Sequence, residues 1–180
     1  MSIYRRIGEV GQKIIGRDKL FKYGFNLSPM YRRTTARLTH VSEDLMEANL
    51  ILPISFKNRN YVNSIFGGSM FAAVDPIPMV QLINILGPKY VVWDKSAEVF
   101  FRRPAKENLY ASFTYTPEEI ADIQDRVKRF KEIEIIKTTQ LTNQDQSTVF
   151  CEVKKTIYIA EKRYYQHKRR SLRPKLKPEA

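Results

Sequence analysis

The chain has 180 residues, 43% apolar and 28% charged, with a net charge of +12. That length fits one domain with a proper core, and that balance excludes a disordered chain. A single cysteine, Cys151, excludes an internal disulfide framework and a multi-cysteine metal site; with His40 and His167 far apart, no metal site is expected.

The positive charge is uneven. Residues 1–37 hold nine Lys/Arg against two acids and residues 162–180 hold eight against one, so 38–161 is close to neutral. Basic ends suit RNA, an anionic lipid surface or a phosphorylated ligand, or serve solubility alone. Residues 1–16 carry Ile3, Ile7, Val10 and Ile14 at helical spacing, which predicts an amphipathic helix with a basic outer face. Its early charges precede no apolar stretch of signal-peptide length, so a secretory signal is not expected and the cytoplasm is the default. Gly24 and Ser28-Pro29 mark loops. Strands follow at 36–41 and 45–55, joined by a short turn at 42–44.

A polar stretch then meets Gly67-Gly68, and a long apolar segment runs to Leu86. Asp75, two prolines, Gln81 and Asn84 interrupt it, so it is read as a central helix and not as a bilayer span. Short strands are expected at 90–93, 97–103 and 109–116. Thr116-Pro117-Glu118-Glu119 starts a helix over 117–130, with a hydroxyl cap, Pro at the first position and acids in the first turn. Two long strands, 133–143 and 147–160, complete the fold. The basic end is expected to be a frayed helix passing into disorder. Cys151 is read as a small buried residue on the last strand. The layout is α+β, an antiparallel sheet curved around one long helix, with segments 1–35, 36–161 and 162–180.

Asp75 poses the chemical question. A buried carboxylate is costly unless it caps, pairs or reacts. Asp before Pro76 suits a cap on a second helical segment. A helix start also presents unpaired N–H groups and partial positive charge, and glycines there let a carbonyl approach closely. Gly67, with Gly68 behind it, is thus a candidate oxyanion holder.

These residues carry a resemblance. Asn60, six residues on a position followed by Gly67-Gly68, and nine residues further Asp75, resemble the pattern of hotdog-fold acyl-CoA thioesterases of the phenylacetyl-CoA type and their uncharacterised bacterial relatives. The segment WDKSAEVFFRRPAKENLYASF, with Pro104 in it, resembles the family's next two strands, and the likeness covers about residues 36–160. One departure is plain: the family's His is Phe66 here.

The resemblance implies a hotdog fold and hydrolysis of an acyl thioester, with coenzyme A as part of the substrate and no separate cofactor. Asp75 would be general base or nucleophile, working with the helix start of a second subunit. Asn60 would orient the water or the carboxylate, and Asp94 or Ser96 would add a group from the following strand. Arg102, Arg103 and Lys106 around Pro104 would clamp the coenzyme's phosphates, or are charged because they face solvent. Phe66, Met70, Phe71 and Met79 would line the acyl side or belong to the core. A homodimer, or dimer of dimers, is implied. The alternatives are a hotdog protein that binds an acyl thioester without cleaving it, and an RNA- or membrane-surface adaptor using the basic ends. No recognised nucleic-acid motif supports RNA.

Overall fold

The computed structural model describes residues 16–172. The expected helix over 1–16 lies outside them, as does the segment after 172. The chain opens with α1 (Arg17–Leu27) and a single turn, α2 (Pro29–Arg32). Gly24, expected to mark a loop, sits instead on the exposed side of α1. Phe21 and Phe25 stack one helical turn apart, and Phe25 meets Tyr31 edge-on, which anchors the helix despite its glycine. Asn26 then locks α1 to β1 (Arg37–Val41): its amide donates to the Leu38 carbonyl and its oxygen accepts from the Leu38 N–H. The side chain thereby occupies part of the free edge of β1. Residues 17–35 are packed on the sheet, with Phe21 and Tyr31 in its core.

β1 pairs with β2 (Glu47–Leu52). The second strand is shorter than the expected 45–55, because Leu45 takes up a left-handed conformation in the turn and Pro53 ends the ladder. After a loop come α3 (Gly67–Val74) and α4 (Ile77–Leu86). The expected single helix is therefore interrupted at Asp75-Pro76, although both residues keep helical backbone angles. Proline is the cause: without N–H groups at 76 and 78, the carbonyls of Ala72 and Val74 lose their intrahelical donors. Side chains from outside serve neighbouring carbonyls at this break. The Tyr31 hydroxyl donates to Ala73, the Lys155 ammonium to Asp75 and the Tyr115 hydroxyl to Pro78. Among the described residues Gly67–Leu86 is the one helical segment long and apolar enough to cross a membrane. Here it packs against the sheet, with Met70, Ala73, Val74, Ile77 and Leu82 buried.

The remaining elements are β3 (Tyr90–Phe101), β4 (Leu109–Thr114), α5 (Pro117–Phe130), β5 (Glu132–Thr142), β6 (Val149–Glu161) and α6 (Lys162–Ser171). The expected strands 90–93 and 97–103 are one strand, β3. Its ladder with β6 slips at Lys95 and resumes, so the Asp-Lys-Ser stretch is a bulge and not a break. The start of α5 follows expectation, with the Thr116 hydroxyl accepting from the Glu119 N–H. The basic end is an ordered helix as far as residue 171, held by Lys168 on Glu132.

The six strands form one antiparallel sheet in the order β1-β2-β4-β5-β6-β3. One cluster of buried side chains joins α3 to β1, β2, β4 and β6; a second joins α4 and α5 to β5 and β6. The central helix thus lies along one face of the sheet.

A Cβ at Gly24 would meet no heavy atom within 4 Å. Gly24→Ala should therefore stabilise the protein by about 1 kcal/mol, read as a higher urea midpoint at unchanged slope. A lower midpoint would show that α1 needs its glycine.

Candidate active site

The strand β6 sets up the site. Its residues Cys151, Val153, Lys155, Ile157 and Ile159 alternate onto the buried face, so Lys155 follows the core register despite its charge. Lys155 is 2% exposed. A buried ammonium needs partners, and three oxygens supply them. Its Nζ bonds the Asp75 carboxylate, lies 2.7 Å from Asp94 Oδ2 and 3.1 Å from the Asp75 carbonyl oxygen. The Phe71 ring, 5.8 Å away, covers it further. The cluster of one cation and two carboxylates carries one net negative charge.

The two acids differ. Asp75 keeps its side chain 40% exposed, and its backbone ends α3. Asp94 on β3 is more enclosed, with its side chain 22% exposed, and its Oδ1 is buried without a hydrogen-bond partner. Loss of solvent raises the Asp94 pKa, the Lys155 ammonium lowers it in part, and the Asp75 charge raises it again. Asp94 therefore holds a proton more readily than an ordinary aspartate. Such a group can accept or donate one near a bound substrate.

The other expected residues divide. Ser96 is not brought to this cluster. Beyond the bulge it stands opposite Thr156, whereas Asp94 stands opposite Ile157, and cross-strand partners share a face. Asn60 is turned into its own loop: its oxygen accepts from the N–H groups of Val62 and Ser64, and its amide donates to the Ser64 hydroxyl. Asn58 fixes that loop to the body through Thr35 and the Pro53 carbonyl. The loop ends where Phe66 N–H meets the Asn58 carbonyl and Ile65 N–H the Ala105 carbonyl.

Gly67 and Gly68 begin α3 with no side-chain cap. A Cβ on Gly67 would come 2.8 Å from the Phe101 ring, and one on Gly68 would strike the Phe66 ring. A side chain at either position would have to displace one of these exposed rings. Phe66 and Phe101 are exposed and flank the helix start. The loop that carries Arg102, Arg103 and Lys106 passes the same point, through the Ile65–Ala105 bond. Arg102 is engaged by Glu152 and stacks on Phe100, while Arg103 and Lys106 are exposed. Met70 is buried in the core, and Phe71 and Met79 are half-buried on the central helix. Cys151 is buried as expected, and burial pushes its thiol up to about 11, far from a nucleophile's range.

Sequence reasoning missed Lys155 and Asn58. The signal for Lys155 was the strict alternation of β6, which places it between Val153 and Ile157 on the inner face.

A hotdog arrangement is the class this sheet and helix define. The domain family described as "Domain of unknown function (DUF4442)" matches residues 17–159, and the chain belongs to that family. No curated protein matches the chain. Among solved structures it is similar to a Pseudomonas aeruginosa protein of unknown function described as a probable thioesterase. The TM-score is 0.69 at 18% identity, covering 79% of this chain and 95% of that one. A Chlorobaculum tepidum protein of unknown function is similar at TM-score 0.64 and 17% identity, over 79% and 93% of the two chains. Zebrafish thioesterase superfamily member 2 is similar at TM-score 0.54 and 11% identity, over 78% and 94%. At these identities the likeness establishes the fold, a hotdog.

Lys155→Met would leave two carboxylates facing each other and should cost about 3 kcal/mol of stability in urea unfolding. A second expectation concerns pH. Because the folded pKa of Asp94 is raised, its contribution to stability is full below its unfolded value and lost as pH rises through its folded value. From about pH 4 upward, wild type should therefore lose stability relative to Asp94→Asn until Asp94 is fully ionised. A difference between the two that stays flat with pH would contradict the desolvated carboxylate.

Proposed function

We propose that the protein is a cytoplasmic acyl-CoA thioesterase of the hotdog type that works as a homodimer. The observation that carries this reading is the pair of carboxylates, Asp75 and Asp94, gathered on one buried lysine beside an uncovered sheet edge. Hydrolysis of a thioester needs a base for water, a holder for the oxyanion and a proton for the leaving thiolate.

Asp75 lies eight residues from Gly67, roughly 12 Å along a helix, too far to act on a carbonyl held at its own helix start. A second subunit resolves this. β3 is a twelve-residue edge strand, with no neighbour on its outer side among the described residues. Long open edges pair readily. If two copies met there with their central helices antiparallel, Asp75 of one would face Gly67 of the partner subunit. The Gly67 N–H would hold the carbonyl oxygen as it becomes an oxyanion. A carboxylate would take the proton of the attacking water, and Asp94, with its raised pKa, could return one to the thiolate. Lys155 touches neither carbonyl nor water in this scheme; it positions both acids. Arg103 and Lys106, exposed near the helix start, are the better placed of the expected phosphate contacts, since Arg102 is already paired. Asn60, spent within its loop, shapes the helix entry.

Two observations favour the second reading, a protein that binds an acyl thioester without cleaving it. The Phe66 ring leans on Gly68, where the family's pattern has an imidazole, and Asp75 is already ion-paired.

The test is a panel of short, long and aryl acyl-CoAs, with free thiol followed over time. Wild type should release thiol, and Asp75→Asn should lower kcat by at least a hundredfold with little change in bound substrate. Asp94→Asn should weaken turnover and move its pH profile. Tight binding with no release from any substrate would transfer the assignment to the binding protein.

A further inference from the structure

A second site lies at the far end of the sheet from the helix start. A cleft of about 940 Å³ opens between the latter half of α5, the first turn of α6 and the turn leading into β3. Its walls carry Lys89, Lys128, Lys131, Lys162 and Arg163, against two acids, Asp125 and Glu161. Both acids are already neutralised: Asp125 pairs with Arg129, one helical turn on, and Glu161 pairs with Lys131. Lys162 rests on the Pro88 carbonyl. Lys89, Lys128 and Arg163 are exposed, and their side chains make no ion pair or hydrogen bond among the described residues.

Three uncompensated cations from three separate elements thus converge on one concavity. Like charges around one cleft repel one another, and an anion bound between them relieves that repulsion. Three cations from separate walls, with the first turn of a helix on one of them, suit a ligand with more than one phosphate better than a single carboxylate. The floor is not apolar alone: Tyr90, Gln124 and Gln166 also line it and offer hydrogen bonds to a polar group attached to those phosphates.

We propose that this cleft binds a diphosphate-bearing ligand. The site is separate from the carboxylate cluster and does not depend on its chemistry. The two are nevertheless aligned. Tyr90 stands opposite Glu161 and Asp94 opposite Ile157, so both lie on the inner face of β3, four residues and about 13 Å apart. The diphosphate could therefore come from a free nucleotide or from the phosphate end of a coenzyme A thioester whose arm runs along β3.

The experiment is isothermal titration of the full-length protein with inorganic pyrophosphate, ADP and desulfo-coenzyme A. Three variants are titrated beside wild type: Lys128→Glu/Arg163→Glu, Lys89→Glu, and Arg103→Glu/Lys106→Glu. Wild type should bind ADP and pyrophosphate with affinity that falls as salt rises. The Lys128→Glu/Arg163→Glu pair should weaken that binding at least tenfold, and Lys89→Glu less; the Arg103→Glu/Lys106→Glu pair, at the phosphate contacts proposed for the helix start, should weaken it less than the cleft pair does. Urea midpoints close to wild type would show that the reversals leave the fold intact. Desulfo-coenzyme A binding no tighter than ADP identifies a free nucleotide as the source; binding at least tenfold tighter, and lost in the cleft variants, identifies the carrier. No binding of any probe, binding indifferent to the cleft variants, or loss only with Arg103→Glu/Lys106→Glu would overturn the proposal. Because the readout is binding of unreactive probes, an inactive thioesterase would not disturb it. Thiol release with intact cleft-variant kinetics would in turn leave the hydrolase reading standing without the cleft.

Discussion

The burial of the Lys155 ammonium is the constraint around which the rest is arranged. A cation on the core face of β6 demands negative charge from both sides, and the fold delivers it from the central helix and from the neighbouring edge strand. This one side chain therefore joins three elements that are distant in sequence. It also bonds a backbone carbonyl at the place where prolines interrupt the helix. Helix break, ion cluster and sheet edge are consequently one structure and not three. The Tyr31 and Tyr115 hydroxyls complete it, donating to carbonyls on either side of the break. Burial raises the pKa of both tyrosines, so each remains a hydrogen-bond donor across the range in which proteins work.

Much of the fold was legible because its signals are local. The cap at Thr116, the alternation of β5 and β6 and the glycine pair before an apolar run each name an element without help from the rest of the chain. The failures share a different cause. Gly24 was read by propensity as a loop, but Phe21, Phe25 and Tyr31 stack into a core that outweighs one glycine. The polar Asp94-Lys95-Ser96 triplet read as a gap between two strands, because a bulge has no signature in a single strand's sequence and shows only against its partner. Residues 1–15 and 173–180 stand outside that comparison.

The site was legible in its backbone parts and not in its electrostatics. The spacing of the family resemblance singled out Gly67, Gly68 and Asp75, and the structure places all three along the central helix. Asp94 was found only as one of two candidates, since without the ladder to β6 the register after Trp93 is open. The bulge decides between them by sending Asp94 to the inner face and Ser96 to the outer one. Asn60, a polar residue at a suggestive spacing, is engaged by its own turn, which the sequence alone does not show. Lys155 was passed over because a lysine in a strand is ordinarily read as solvent-facing. The alternation around it contradicted that habit and was the better guide.

The two sheet edges are treated unequally, and this bears on where chemistry can take place. β1 is partly closed by α1, through the paired hydrogen bonds of Asn26. Among the described residues β3 has no neighbouring strand on its outer side, and it has twice as many residues as β2 or β4. Asp94 lies on β3 and Lys155 on β6 beside it, and Asp75 reaches them from the central helix, so the cluster sits near the bare edge and not in the middle of the sheet. An acid there can be reached from outside the subunit, whereas Gly67 at the helix start cannot be reached by its own Asp75. With Asp94 on the edge strand and Asp75 bonded to the same lysine, the candidate site depends on what covers that edge. Under the proposed dimer, a second copy would supply both the cover and the missing helix start.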